Sequence, residues 1–167
     1  MPTVYLSLGS NSGESRAILA NALDALNKIR GCRVLAASSI YRTEPQDKKN
    51  QPWFLNQAAC LDTALSPLEL LDKTQEIERF FGRERGRETR FGPRTLDLDI
   101  LLYGALVLEE LEGRLTLPHP RLSARAFALI PLLELDPELI LPDGRRAADC
   151  LKSLPYRLEN DLIYQAE

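Results

Sequence analysis

Two aspartates stand two residues apart inside an otherwise apolar run, and this spacing constrains the local fold more than any other feature. The run covers residues 96–103, and the acids are Asp97 and Asp99. In a β-strand, alternate side chains project from the same face, so both carboxylates would point to one side while their apolar neighbours enter a core. The segment is therefore predicted to be a strand with one acidic face.

Neighbouring half-buried carboxylates repel each other, and desolvation adds to that cost. An edge strand with both acids in water, a shared proton or a bound cation would each relieve the repulsion. An arginine cluster precedes the strand and consists of Arg79, Arg83, Arg85, Arg87, Arg90 and Arg94. Because guanidinium groups bind phosphate and hard oxygen ligands suit Mg²⁺, the combination favours a site for a polyphosphate and magnesium over a solvated edge.

Composition predicts one ordinary globular domain over residues 1–167. The net charge of −3 offers no general attraction to nucleic acid or to an acidic membrane, so neither is an expected partner. The three cysteines form no C-x-x-C pair, which favours reduced thiols and a cytoplasmic location. The N-terminus lacks the pattern of a signal peptide, and no apolar run is long enough to span a membrane.

The hydrophobic pattern predicts elements in the order β-α-β-β-α-β, with a turn at residues 9–13 after the first strand. The expected strands are 4–8, 34–41, 54–61 and 96–103, and the expected helices are 15–30 and 66–81. A hairpin around residues 107–117 and a helix over 123–135, kinked or interrupted at Pro131, would follow. This order is that of a ferredoxin-like α+β sandwich, with helices packed on one face of an antiparallel sheet. Two polar loops, 43–52 and 83–93, flank the acidic strand and are expected to be functional lids.

Residues 92–104, which read GPRTLDLDILLYG, closely resemble the signature of the 6-hydroxymethyl-7,8-dihydropterin pyrophosphokinases. Further similar segments follow in the same order at residues 8–11, 38–43, 54–56, 74–78 and 117–121. The resemblance implies a ferredoxin-like fold and transfer of pyrophosphate from ATP to the pterin hydroxymethyl group, which leaves AMP, in folate biosynthesis. It also implies two Mg²⁺ ions, no nucleic-acid or membrane partner, and a monomer.

The resemblance assigns site residues by position. Asp97 and Asp99 match the family's magnesium ligands, and with Arg83 and Arg94 they form the expected catalytic set. The expected ATP contacts are Gln75, Glu78, Arg83, Arg85, Arg94, Arg114, Thr116, His119 and Arg125. The expected pterin contacts are Thr43, Pro45, Phe54, Asn56, Asp97 and Phe127, with the two phenylalanines stacking on the flat ring.

Two other functions fit parts of the pattern. RNA-recognition motifs share the predicted fold, and an arginine cluster can bind a phosphate backbone, but the stacking aromatics of those motifs are missing from the central strands. A metal-dependent nucleotidyl transferase also uses an Asp-x-Asp strand. Formation of AMP that requires a pterin acceptor would distinguish a pyrophosphokinase from both.

Overall fold

The computed structural model describes residues 1–45, 50–82 and 95–165, and the elements below are those of the described residues. One sheet contains seven strands: β1 Thr3–Ser10, β2 Cys32–Ala37, β3 Tyr41–Thr43, β4 Phe54–Thr63, β5 Asp97–Tyr103, β8 Tyr156–Glu159 and β9 Leu162–Gln165. Its strand order is β5-β1-β4-β3-β9-β8, and β2 also pairs with β4. A separate two-stranded sheet, β6 Leu108–Leu111 and β7 Leu115–Leu117, confirms the predicted hairpin.

Four helices accompany the sheet: α1 Ser15–Asn27, α2 Pro67–Phe80, α3 Ala126–Leu135 and α4 Ala147–Lys152. The predicted start of α2 is confirmed, because Ser66 Oγ accepts a hydrogen bond from Glu69 N while the Glu69 carboxylate accepts one from Ser66 N. The expected interruption at Pro131 is wrong, since α3 continues through that residue. Most side chains of α3 are buried, and this packing offsets the hydrogen bond that proline removes.

Two core clusters lie on opposite faces of the sheet. Val4, Leu6 and Leu8 of β1 pack with α1 and α2 in the first cluster, whereas Tyr5 packs against the second, which includes residues of α3 and α4. The alternation along β1 therefore separates the two faces. Helices cover both faces, so the expectation that they occupy one face is wrong.

The sheet is mixed, and the expectation of a purely antiparallel sheet is also wrong. β3 pairs with β9 in parallel, through Arg42 with Leu162 and Thr43 with Ile163. The strand pairs among β1, β2, β3, β4 and β5 are antiparallel. The C-terminal residues lack a clear hydrophobic period, so their strands were not anticipated.

The strand expected at residues 34–41 is divided into β2 and β3. Between them, Ser38 Oγ accepts a hydrogen bond from Ala58 N, and Gln57 Nε2 donates one to Ser38 O. Ser38 N still donates to Ala58 O, so the backbone ladder reaches this point, and the two side-chain bonds add to it where β2 ends. In the described part of the chain, no helix is both long and apolar enough to cross a membrane.

Candidate active site

The two acids of β5 lie on the face predicted for them. Asp97 and Asp99 are half-buried, while Leu98 and Ile100 between and beyond them are 2% and 4% exposed. Asp97 and Asp99 pair with Gly9 and Ser7 of β1, which alternate with Leu6 and Leu8 of the first cluster, so the acids project from the opposite face. The acidic face is therefore the one that α3 covers further along the sheet.

A single row of paired residues joins the acids to the expected pterin residues. Gly9 of β1 pairs with Asp97 of β5 on one side and with Asn56 of β4 on the other, and Asn56 pairs with Tyr41 of β3. Directly paired residues share a face, so Asp97 and Asn56 project to the same side, about 10 Å apart at the spacing of neighbouring strands. Gly9 leaves the sheet bare between them.

The Gly9 position requires a residue without a side chain. A Cβ atom there would lie 2.8 Å from Asn56 Oδ1, closer than nonbonded atoms approach. Sequence patterns placed Gly9 in a turn, whereas β1 continues through Ser10. A glycine inside a strand signals a close approach, and that signal was available in the sequence.

The expected pterin residues converge on this face. Asn56 Nδ2 donates a hydrogen bond of 2.5 Å to Thr43 Oγ1, and both residues are buried. Phe54 pairs with Thr43 across β4 and β3, two residues from Asn56, and so projects to the same side. Pro45, two residues after Thr43, is buried. Phe127 lies near the start of α3, the helix that covers this face.

Glu78 of α2 is attached to the acidic strand. The residue is 1% exposed, and its Oε2 accepts a hydrogen bond of 2.8 Å from Leu98 N, between the two acids. β5 pairs on one side with β1, so this bond satisfies a backbone group on its outer edge. The expectation that Glu78 contacts ATP stays a prediction, and the observed bond connects the residue to β5.

His119 is held as a neutral imidazole by its surroundings. Its Nδ1 accepts a hydrogen bond of 3.1 Å from Arg121 N, and its own backbone N–H donates to Leu101 O on β5. Burial, and then the positive charge of Arg125, lower the pKa of His119 to about 4, although Asp97 acts in the opposite direction. With Nδ1 as acceptor, the proton is assigned to Nε2, which is then a donor for a ligand.

Two further expected ATP residues are hydrogen-bonded to each other. Arg114, beside the hairpin, donates to Gln75 Oε1 at 3.2 Å and to Asp72 Oδ1 at 2.6 Å, so the hairpin and α2 are joined by one guanidinium group. Thr116 Oγ1 accepts from Glu110 N. Arg125 lies 5.3 Å from the centre of the Phe127 ring, a cation–π contact between an expected ATP residue and an expected pterin residue.

Part of the expected site lies outside the described residues. The segment 83–94 lies outside the described residues and contains Arg83, Arg85, Arg87, Arg90 and Arg94 together with the whole second expected lid, 83–93. Residues 46–49 of the first expected lid are also outside them. Asn11, which carried no expected role, donates from Nδ2 to Gln51 Oε1 and Pro52 O and so joins the end of β1 to the first loop.

The donor chemistry of the acidic strand fits magnesium. Among the described residues, no group of three or more His, Cys, Asp and Glu residues is arranged to hold a metal ion. Asp97 and Asp99 would thus supply carboxylate oxygens while the phosphates and water complete the shell, which is how proteins usually bind Mg²⁺ with nucleotides.

Comparison with known proteins identifies the family. The sequence model of 7,8-dihydro-6-hydroxymethylpterin-pyrophosphokinase (HPPK) matches residues 5–137. The 2-amino-4-hydroxy-6-hydroxymethyldihydropteridine pyrophosphokinase of Pseudomonas aeruginosa is 47% identical over 153 residues, which cover 92% of each chain. The protein of the same name from Methylorubrum extorquens is 46% identical over 155 residues, covering 92% of this chain and 94% of its own.

Solved structures share the fold. The Plasmodium falciparum HPPK-DHPS crystal structure aligns with 98% of this chain at a TM-score of 0.66 and 13% identity. An HPPK-DHPS in complex with substrates aligns with 92% of it at a TM-score of 0.70 and 12% identity. The chain spans 48% and 45% of these two longer chains. Because the family model matches residues 5–137 and two curated relatives align along nearly the whole chain, this protein belongs to the 7,8-dihydro-6-hydroxymethylpterin-pyrophosphokinase family.

Proposed function

We infer that the chain transfers pyrophosphate from ATP to the hydroxymethyl group of 6-hydroxymethyl-7,8-dihydropterin, giving AMP and the pterin diphosphate of folate biosynthesis. Its family membership makes it an ATP-dependent diphosphotransferase. The row of Asp97, Gly9 and Asn56 carries this proposal for the site, because the residue proposed to bind magnesium and the residue proposed to bind the pterin edge project from one face of the sheet. This relationship favours the pyrophosphokinase over the RNA-binding and nucleotidyl-transferase alternatives.

Asp97 and Asp99 are proposed to hold two Mg²⁺ ions together with the phosphates of ATP. Magnesium would neutralise phosphate charge and orient the phosphate oxygens. The two carboxylates project from one face of an edge strand whose backbone is held at Leu98 by Glu78, which would restrict their relative positions before a ligand binds. Such pre-organisation contributes to the rate because no reorganisation is needed during reaction.

Gln75, Arg114, Thr116, His119 and Arg125 are proposed to bind ATP from α2, the hairpin and the segment before α3. Neutral His119 would donate from Nε2 to a phosphate oxygen or to the nucleotide, with its ring orientation set by Arg121 N. Arg83, Arg85 and Arg94 are proposed to complete the phosphate contacts, with Glu78 acting through the backbone of β5. Arg83 and Arg94 are the proposed catalytic arginines, which would stabilise the charge that develops on the transferred group.

The pterin is proposed to lie over Gly9, with Asn56 and Thr43 at its polar edge. An amide both donates and accepts, which matches the alternating donors and acceptors of the pterin edge. Phe54 and Phe127 would stack on its two faces, and Pro45 would close the pocket beside Thr43. The hydroxymethyl group would then point toward Asp97, where orientation by the site substitutes for covalent chemistry.

The same proposal includes the topology of the core, the number of domains, the oligomeric state and the cellular location. The antiparallel order β5-β1-β4, with β2 and β3 together as the next position, supports the proposal of a ferredoxin-like βαββαβ core, which β8 and β9 would extend. Residues 1–167 are proposed to form one domain that acts as a monomer. Cys32, Cys60 and Cys150 are free thiols, which fits a cytoplasmic location.

Production of AMP tests the proposal. The purified protein is incubated with ATP, Mg²⁺ and 6-hydroxymethyl-7,8-dihydropterin, and AMP is followed by chromatography. We expect AMP only when the pterin is present, and a loss of about a hundredfold or more in Asp97→Asn. Asp24→Asn, an exposed acid on α1, is the matched control. Pterin-independent AMP, or full activity of Asp97→Asn, would contradict the proposal.

A further inference from the structure

The last described strand, β9, contacts both sides of the proposed pterin pocket. It lies beyond residues 5–137, the segment that the family model matches. Ile163 and Gln165 are two residues apart on β9 and are 1% and 8% exposed. Ile163 packs with Ala126 and Ile130 of α3, so this face of β9 is turned toward the helix that carries Phe127.

The Gln165 amide makes two hydrogen bonds to the backbone at the start of α3. Its Oε1 accepts from Ala126 N at 2.7 Å, and its Nε2 donates to Ala124 O at 2.8 Å. The first amide groups of a helix have no partner within the helix, and Arg125, the residue at the cap position, provides no side-chain cap. Gln165 therefore acts as a cap from a distant strand.

These two bonds bracket Arg125. Its guanidinium group lies 5.3 Å from the centre of the Phe127 ring. The orientation of this short segment sets where a proposed ATP contact and a proposed ring-stacking group point. A side chain that holds the backbone on both sides of Arg125 limits the rotation of that segment.

The same strand also holds the opposite side of the pocket. Glu44 N donates to Ile163 O at 3.2 Å and Arg42 N donates to Asp161 O at 2.8 Å, which fixes the backbone on both sides of Thr43. The Tyr164 ring makes an edge contact with Trp53, with ring centres 5.1 Å apart, next to Phe54. The backbone on both sides of Thr43 and the backbone on both sides of Arg125 are thus hydrogen-bonded to the same short C-terminal segment, residues 161–165.

We propose that Gln165 is a positioning residue for the pterin pocket, fixing the Arg125–Phe127 segment at the distance from Thr43 and Asn56 that the flat ring requires. This inference rests on the proposed function. Gln165 touches no reacting atom in this role; it acts through the backbone that carries Phe127. Removing its two hydrogen bonds should raise KM for pterin, while kcat at saturating pterin changes much less.

Two substitutions separate the two hydrogen bonds. Gln165→Met keeps the length of the side chain and removes both bonds, whereas Gln165→Glu keeps the acceptor for Ala126 N and loses the donor to Ala124 O. Pterin affinity is measured as KM at saturating ATP and from the fluorescence of Trp53, the single tryptophan of the chain. We expect affinity to fall about tenfold in Gln165→Met and about threefold in Gln165→Glu, with kcat changed much less.

Two controls separate positioning from loss of stability. Glu159→Gln changes an exposed residue of the same hairpin that does not face α3, and it should bind pterin normally. Val34→Ala removes apolar contacts from the first core cluster on the far face and gives a variant of lowered thermal stability for comparison. All assays are run well below the midpoint of thermal unfolding of each variant.

Each outcome decides the question. A pterin affinity of Gln165→Met equal to that of the unmodified protein, or an equal loss in Val34→Ala at matched stability, would overturn the positioning role alone. Failure of the unmodified protein to bind pterin or to form AMP would overturn the proposed function as well. The inference is supported if pterin affinity is lowest in Gln165→Met and if Gln165→Glu lies between that variant and the unmodified protein.

Discussion

Glu78 accepts a hydrogen bond from the backbone nitrogen of Leu98, and Leu98 is the residue that separates the two acids of the candidate metal site. A carboxylate with 1% exposure from a helix is thus attached to the strand whose geometry matters most for the proposed chemistry. Among the described residues no strand pairs with the outer edge of β5, so this bond holds a backbone group that no strand ladder holds.

Glu78→Ala should therefore impair both stability and turnover. Leaving the buried Leu98 N–H without its acceptor costs about 1–3 kcal/mol of unfolding free energy, measured by denaturant titration. We expect kcat to fall about tenfold because the carboxylates lose their fixed separation. Glu78→Gln, which keeps an acceptor oxygen, should recover part of both. Glu76→Ala, an exposed acid on the same helix, is the control, and a normal kcat in Glu78→Ala would disprove the coupling.

Gly9→Ala should affect the pterin and spare ATP. The added Cβ would lie 2.8 Å from Asn56 Oδ1, so the amide must move and its bond to Thr43 Oγ1 is lost or distorted. We expect KM for pterin to rise about tenfold, with a smaller change in KM for ATP measured on the same preparation. Equal changes in the two constants would argue against a pterin position over Gly9.

His119 should remain neutral through the physiological pH range. Burial and the Arg125 charge lower its pKa to about 4, so the folded protein binds this proton less readily than the unfolded chain, whose histidine has a pKa of 6.5. The stability associated with neutral His119 is then complete above pH 6.5 and is lost as pH falls toward 4. His119→Gln should flatten the stability profile in that window.

Because the chain has one histidine, its ring resonances in an NMR titration report this pKa without assignment by mutation. The chemical shift of the Cε1 proton should stay nearly constant from pH 7.5 to 5.5, about the range over which an exposed histidine titrates. A midpoint near 6.5 would show that the ring is not desolvated in solution.

Arg114→Met should weaken ATP binding with little loss of stability. Arg114 is exposed and pairs with Asp72 at 2.6 Å, and an exposed ion pair contributes less than about 1 kcal/mol. We expect KM for ATP to rise about tenfold at low salt. The difference from the unmodified protein should become smaller at high salt, because salt screens the attraction between Arg114 and phosphate. Arg33→Met, which breaks a similar exposed pair with Asp62, is the matched control and should leave this constant unchanged.

The sequence predicted the parts of the fold that depend on local pattern. Alternation around Asp97 and Asp99 predicted β5 and its two faces, and the Ser66–Glu69 capping box predicted the start of α2. Both signals arise from residues close in the chain, so no knowledge of distant contacts was needed.

Features that depend on distant contacts were missed. At the break between β2 and β3, the Ser38 side chain accepts a hydrogen bond from Ala58, twenty residues away, and no local pattern indicates this contact. The parallel pairing of β3 with β9 joins segments about 120 residues apart. In the sequence, the helix face that carries Glu78 has the pattern of a solvated surface. The bond to β5 was missed because the partner of Glu78 is a backbone group rather than a charged side chain. Gly9 was assigned to a turn because small polar residues follow it, although a glycine can also mark a close approach inside a strand.

The alternation along β1 and β5 has a consequence for misfolding. One face of these strands packs the first core cluster and the other carries Gly9, Asp97 and Asp99, so a slip of one residue in their pairing would turn the carboxylates into the apolar core. Desolvation would make that arrangement strongly unfavourable. Chains that pair out of register should therefore be disfavoured during folding, so the two acids proposed to bind magnesium also favour the correct strand alignment.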